Sequence, residues 1–427
     1  MPISNASKDV SNDQVTARER TGRSATEWSA RLPVPDTHLV DTRIYTDPDI
    51  FREEVEKIWH KTWLPICHES ELPEPLDFRT SGLAGDVPIV IVRGRDGTIR
   101  TFLNVCPHRG NMIVRKAKGN LGTAEPSGNA DHMTCMFHGW QFDATGRCVE
   151  IPREKAGYQD RLCKANMRLR EIRTEIAFGG FVWVNLDDQT ESITDYMGGI
   201  FDYMQEELNT EALDVFHYQK VTIPTNYKYF HETGREFYHD FLHYHNRQTG
   251  MMQKGYFDRK YVPYKNGHCL IGLTVSEYKA YKGYADRGLT FPGMPKNGWK
   301  GVGLFPGITF NLRSSCLRVN FMTPISENKV MIEVRGLGLK SDSEEMRQRR
   351  IRDFNTIWGP FGRNAHEDFL AIQTQAAAVR PGSGAKYCVM AREENDTTHD
   401  EIGLRCYYSE WSRRMGRLAS DPTRRTA

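Results

Sequence analysis

Two thiols and two imidazoles arrive in this chain as short pairs, Cys106-Pro-His108 and Cys135-Met-Phe-His138. Each pair can close on one metal centre. Together they are the donor set of a [2Fe–2S] cluster with inequivalent irons, two Cys on one and two His on the other. Thiolates suit zinc as well, but structural zinc sites are more often built from C-x-x-C or H-x-x-x-H halves. Gly110 and Gly139 follow the two halves and let backbone N–H groups approach sulfur, which tunes the reduction potential. A cluster of this kind only moves electrons, so the chain is expected to contain or serve a second site where bonds are made.

The best stretch for that second site runs from Asn226 to His245. His239, His243 and His245 crowd into its end, and Glu232 and Glu236 precede them. Two His and one carboxylate on one face of Fe(II) leave the other face open for O2 and substrate. His239 and His243 are four residues apart and share a face of the helix expected between Ile223 and about His245. His245 is the alternative second imidazole.

The elements that must position these groups change texture along the chain. Asp47 to Trp63 has helical spacing of Phe51, Val55, Ile58 and Trp59, with Asp47-Pro48-Asp49 as its start. From Leu64 to about Leu186, short β-rich runs alternate with Gly, Pro and Asp, as in Pro88–Val92, Arg100–Asn104 and Gly180–Asn185. Gly94-Arg-Asp-Gly97 reads as a hairpin turn. Asp195–Leu208 is expected helical. Strands are expected at Leu270–Thr274, Ile308–Leu312, Arg318–Met322 and Val330–Val334. A long helix over Ser341–Gln375 follows, interrupted near Gly359-Pro-Phe-Gly362. The fold class is α+β, a small antiparallel β domain plus an antiparallel sheet held by a late helix.

Composition sets the outer bounds. A chain of 427 residues with 39% hydrophobic and 26% charged residues has material for two or three domains. A formal net charge of +2 argues against a nucleic-acid partner. No apolar run approaches the roughly 18–20 residues needed to span a membrane. Met1 to Arg31 is polar with no apolar h-region and carries Asp9, Asp13, Glu19 and Glu27, so it reads as an arm packing on a neighbouring subunit. Cys67, Cys148, Cys163, Cys269, Cys316, Cys388 and Cys406 are expected as buried small hydrophobes in a reducing cytoplasm.

On its metal-ligand motifs the chain resembles the Rieske non-heme iron aromatic-ring-hydroxylating oxygenases, in the large α subunit. Respiratory Rieske proteins carry an extra Cys in each loop, where this chain has Asn111 and Phe137. The resemblance implies residues 60–182 as a Rieske [2Fe–2S] domain. Residues 36–59 and 183–427 then form a helix-grip catalytic domain with a mononuclear Fe(II), behind an arm at 1–35. Asn226-Tyr-Lys228, Glu232 and Glu236-Phe-Tyr-His239 match the family pattern, with Glu at the usual Asp position. The second His usually falls five residues after the first, where Tyr244 stands, so His243 or His245 must serve. The resemblance makes Glu236 the acid bridging the two metal centres, with Asp240 as a competitor. It makes Asp368, in Asn364–Gln373, the third iron ligand, with His366 and Glu367 as alternatives. His231 becomes a residue of the pocket or of the ligands' surroundings. The gap between the two cluster halves is longer than usual, with 118–131 as an inserted loop beside His132, which is read as solvated.

The expected activity is that of a terminal oxygenase that cis-dihydroxylates an aromatic ring, with a monooxygenase or demethylase of the same class as the alternative. No G-x-G-x-x-G opens a βα unit, so electrons must come from a separate NAD(P)H-dependent reductase, with or without a ferredoxin. The family implies a homotrimer, with or without a small β subunit. Pro263 to Phe321 is rich in Tyr, Phe and Leu and suits an aromatic ring. Arg247, Lys254 and Arg313 could pair with a substrate carboxylate or be surface charge. The run Leu404–Trp411 resembles the tails of benzoate- or salicylate-type oxygenases, which points to an aromatic acid.

Overall fold

The computed structural model describes residues 31–123, 131–159, 161–243, 258–275, 290–359, 362, 364–395 and 397–426. Tyr244, His245, Arg247, Lys254 and most of the N-terminal arm lie outside the described residues, as does 124–130 of the expected insertion. Two antiparallel seven-stranded sheets carry the fold. The first runs in the order Leu64–His68, Phe181–Asn185, Glu171–Ala177, Ile99–Leu103, Val87–Arg93, Asp77–Leu83 and Lys118–Asn120. Its last strand absorbs the start of the insertion, because Lys118–Asn120 pairs with Asp77–Arg79. The hairpin expected at Gly94–Gly97 is present, and Gly97 takes a positive φ that an L side chain rarely adopts.

The run Pro88–Val92 is apolar throughout because both faces of its strand are covered. Ile89 and Ile91 enter the main core with Trp63, Trp183 and Phe310. Val90 and Val92 point the other way, into a second core with Phe102, Trp140, Cys106 and Cys135. The cluster loops therefore rest on a hydrophobic base of their own.

The second sheet runs Leu213–Ile223, Lys329–Leu339, Cys316–Ser326, Ile308–Arg313, Gly298–Leu304, Cys269–Val275 and Tyr261–Pro263. Side chains alternate between its faces. Ile308, Phe310 and Leu312, with Leu317, Val319 and Phe321, are buried in the main core. Phe310 meets Phe181 edge-on at 5.0 Å, which docks this sheet on the first one. The alternate residues Thr309, Asn311, Arg313, Arg318 and Asn320 are polar and face a cavity.

Three helices expected from sequence are shorter than their apolar spacing suggested. Asp47 caps Pro48–Glu54 by accepting from Asp49 and Ile50, and the chain continues as a π-helical turn over Val55–Trp59. Asp195–Leu208 divides into pieces around Gly198 and Gly199, both at positive φ. The helix expected between Ile223 and His245 stops at Glu232, and His239 sits in a separate 3-10 turn, Tyr238–Phe241. The break is held by Arg235, whose buried guanidinium leaves the helix line to donate to the carbonyl of Gly267 at 2.7 Å. The late helix is interrupted as expected, into Glu344–Ile357 and Ala365–Ala378. Cys163 is exposed and Cys388 and Cys406 half-buried, unlike the four other cysteines outside the cluster loops. Among the described residues no helix is long and apolar enough to cross a membrane.

Candidate metal centres and substrate cavity

The two cluster loops are built alike. Gly110 N–H donates to the carbonyl of Cys106, and Gly139 N–H to that of Cys135, each at 2.9 Å and each from a glycine at positive φ. These turns bring His108 and His138 together, ring centroids 4.5 Å apart, above two buried cysteines. His108 stacks on Trp140 at 4.7 Å, and its Nε2 lies 3.3 Å from the Tyr158 hydroxyl. Its Nδ1 is buried with no hydrogen-bond partner, as a nitrogen reserved for a metal would be. Burial pushes the Cys106 thiol up to about 11, while backbone N–H groups of His108 and Arg109 favour its thiolate. Asn111, which stands where a respiratory Rieske loop has Cys, has its amide 3.6 Å from Cys135 Sγ. This donor set fits a [2Fe–2S] cluster. His132 is half-buried rather than solvated.

The second centre assembles His239, His243 and Asp368 from two separate segments. Single ligand atoms from the three lie within 4.8 Å of one another. Asp368 Oδ1 is 3.8 Å from His239 Nε2 and 3.4 Å from His243 Nε2. Loss of the expected helix did not part the two imidazoles, because the 3-10 turn after Arg235 brings their rings to 5.4 Å. Each imidazole is held at Nδ1 by a carboxylate, Glu236 Oε1 at 2.7 Å for His239 and Glu367 Oε2 at 2.8 Å for His243. With Nδ1–H donating outward, each Nε2 keeps a lone pair toward the centre. Burial raises the Asp368 carboxyl, opposed by His239, His243 and Arg318. Burial also pushes on Glu236, but His239 and backbone N–H groups hold its carboxyl below the usual range.

The alternatives raised by the sequence separate here. Glu367 supports a ligand, and His366 turns its Nδ1 to the Gly362 carbonyl. His231 is no part of the pocket, since it is buried and takes a hydrogen bond on Nε2 from Arg235 Nε at 2.6 Å. The Asp240 side chain lies outside the described residues.

His239, His243 and Asp368 open on a cavity of about 110 Å³. Phe230, Phe237, Trp299 and Trp358 give it aromatic walls, and Arg259, Arg313 and Arg318 give it three guanidinium groups. Arg259 lies over Trp299 at 4.3 Å, and Arg318 and Arg313 over Trp358 at 4.5 and 5.5 Å. Sequence reasoning named Arg313 and missed Arg259, Arg318 and Asn320. A second cavity of about 250 Å³ reaches His239 and Asp368 from the side of Glu236, with Glu232 and Glu401 in its wall. Burial pushes the Glu232 carboxyl up to about 7, despite hydrogen bonds from Tyr408 and Tyr45.

Two family matches each span one of these centres. The family described as the Rieske [2Fe-2S] domain matches residues 62–171, and the ring hydroxylating alpha subunit (catalytic domain) matches residues 210–416. The methanesulfonate monooxygenase hydroxylase subunit alpha of Methylosulfonomonas methylovora is 52% identical over 401 residues, 94% of this chain and 96% of that protein. The 2-aminobenzenesulfonate 2,3-dioxygenase subunit alpha of an Alcaligenes species is 41% identical, covering 93% of this chain and 99% of that one. Among solved structures, naphthalene 1,2-dioxygenase from a Rhodococcus species superposes with a TM-score of 0.76 at 20% identity, over 90% of this chain and 95% of that one.

Proposed function

The chain belongs to the alpha subunits of the Rieske ring-hydroxylating oxygenases, oxidoreductases that incorporate O2, and from that premise we propose that it hydroxylates a small organosulfonate. The observation that carries the substrate class is the trio Arg259, Arg313 and Arg318 in the wall of the cavity shared by His239, His243 and Asp368. Two extensively similar relatives are named for sulfonates. The aromatic acid expected from sequence shares the negative charge that such a wall recognises. Ring dihydroxylation remains the second reading, favoured by Phe230, Phe237, Trp299 and Trp358 around the cavity.

In the proposed assignment Cys106, His108, Cys135 and His138 hold the [2Fe–2S] cluster, and His239, His243 and Asp368 hold a mononuclear iron. The cluster, when bound, supplies single electrons, and the iron supplies a site for O2 activation. The residues around them do the rest. Glu236 fixes the tautomer and orientation of His239, and Glu367 does the same for His243. The aromatic walls exclude water, and the arginines bind and orient the acid group. The balance is substrate, O2, two electrons and two protons giving alcohol and water, or a cis-dihydrodiol in the ring case.

The boundaries proposed are 60–182 for the cluster unit, 36–59 and 183–427 for the catalytic unit, and 1–35 for the arm. They bracket the two family matches. Electron supply by a reductase or ferredoxin, a homotrimer with or without a β subunit, and a cytoplasmic location complete the reading. A bridge in which Glu236 links His239 to a cluster histidine of a neighbouring subunit would require the oligomer to be closed head to tail.

The experiment is turnover of the purified protein with a reductase and NADH, followed by O2 uptake and sulfite release. A sulfonate hydroxylated on the carbon bearing sulfur is a bisulfite adduct and decomposes to carbonyl and sulfite. Methanesulfonate or 2-aminobenzenesulfonate is expected to drive O2 uptake, with sulfite from the former. Oxidation of hydrocarbons alone, with no response to either sulfonate, refutes the substrate class.

A further inference from the structure

The polar face of the catalytic sheet calls for an explanation, because the face of a sheet covered by helices ordinarily packs apolar side chains. On the strand Cys316–Ser326, Arg318 and Asn320 interrupt Leu317, Val319 and Phe321, and they share the cavity face with Asn311, which pairs directly with Arg318. Asn320 is only 2% exposed, yet its amide Oδ1, an acceptor, has no hydrogen-bond partner. The Nε of Arg318 is likewise buried without one. Unpaired polar groups in an enclosed site are costly and mark a place where a partner is to arrive.

The guanidinium of Arg318 is fixed in direction by lying over Trp358 at 4.5 Å. The carboxylate it senses is Asp368, whose Oδ1 faces both imidazole Nε2 atoms. A carboxylate engaged with a cation at that position no longer balances the charge on Arg318. An anion in the cavity then does so.

We propose that Arg318 is the specificity-determining seat for the acid group of the substrate and selects sulfonates over neutral molecules of the same shape. This rests on the substrate class proposed above and adds the residue that reads it. A guanidinium presents a planar fork of N–H donors to two oxygens of one acid group, and the stacking on Trp358 fixes that fork before the ligand enters. Arg259 and Arg313 add positive field to the same wall.

The test is equilibrium binding to the holoenzyme, read by the fluorescence of the cavity tryptophans or by calorimetry, with methanesulfonate and its neutral near-isostere dimethyl sulfone. Wild type is expected to bind the sulfonate and to discriminate against the sulfone. Arg318→Gln is expected to weaken sulfonate binding roughly 30-fold or more, the usual cost of truncating one side of a buried charge pair, and to leave the sulfone unchanged. Arg318→Lys restores charge without the fork and recovers part of the affinity. Arg318→Met, which keeps an unbranched apolar stem against Trp358, is expected to show the same loss and serves if Arg318→Gln does not fold, as judged by the visible cluster spectrum. Wild-type sulfonate affinity in Arg318→Gln, or in Arg318→Met where it must stand in, overturns the seat and leaves the substrate class standing. Failure of the wild-type protein to bind any sulfonate overturns both.

Discussion

His243 Nδ1 lies 2.8 Å from Oε2 of Glu367, the residue immediately before Asp368. One turn of the helix Ala365–Ala378 thus orients one imidazole of the candidate iron site and offers the carboxylate that completes it. The shortened spacing between His239 and His243 is accommodated by this second contact, since each ring is held at Nδ1 by its own acid.

Removing that support is expected to loosen the metal and spare the cluster. Glu367→Ala should bind iron about 10- to 100-fold more weakly, the usual effect of losing an outer partner of a histidine ligand. Glu367→Gln, which can still accept from Nδ1–H, should lose less. Iron content after dialysis against a graded chelator, with the visible cluster absorbance as internal control, reads both. Equal retention in wild type and Glu367→Ala counts against the role.

Asp368→Ala should separate the two centres. The loops around Cys106 and Cys135 rest on a core of their own, separate from the core that Phe369 and Ile372 of the Asp368 helix join. The variant is therefore expected to keep the reddish-brown cluster band and its bleaching by dithionite, to lose the mononuclear iron, and to form no product. Turnover at the wild-type rate would mean that a different third ligand serves.

Much of this site was legible in the sequence because metal ligands come as residue types at fixed spacing. The structure brings together the residues those motifs name, the cluster pairs in two matching turns and His239, His243 and Asp368 with ligand atoms within 4.8 Å of one another. The local backbone was less legible. His239 and His243 were expected on one continuous helix, but the Arg235 hydrogen bond to Gly267, a long-range partner, diverts the chain after Glu232. Arg318 and Asn320 carry a signal in the sequence, since Leu-Arg-Val-Asn-Phe alternates in a strand whose apolar half is core. Which face meets a cavity depends on the register with Ile308–Arg313, and register is not written in either strand alone.

A buried ion pair ties the helix Pro48–Glu54 to the helix Tyr227–Glu232. Lys228 Nζ and Glu54 Oε1 are 2.7 Å apart with both side chains fully buried, and Trp411 Nε1 donates to the same oxygen at 2.6 Å. Burial pushes Glu54 up and Lys228 down. Lys228→Met leaves the Glu54 carboxyl without its cation and is expected to destabilise the fold by about 3–5 kcal/mol. Lys228→Met with Glu54→Leu should recover a good part of that, because an apolar pair of similar volume carries no uncompensated charge. Urea midpoints of the three proteins decide. A double variant as weak as the single one would point to packing rather than charge.

Glu232 gives a pH dependence whose sign is fixed by its surroundings. Its carboxyl takes hydrogen bonds from Tyr45, at 2.9 Å, and from Tyr408, but burial still raises it from 4.5 to about 7. Below pH 4.5 the folded and unfolded chains both hold the proton. Between there and pH 7 the unfolded chain has lost it while the folded one keeps it, so unfolding releases a proton. Stability then falls as pH rises, by up to about 1.4 kcal/mol per pH unit, and levels off above the folded value. Glu232→Gln holds a neutral group at every pH and lacks this slope. Between pH 5.5 and 8 the variant is therefore expected to gain on the order of 2 kcal/mol relative to wild type. Urea unfolding of both proteins at the two pH values measures the gain. A constant offset between them would show that Glu232 is ionised throughout, and that the two tyrosines hold a carboxylate rather than an acid.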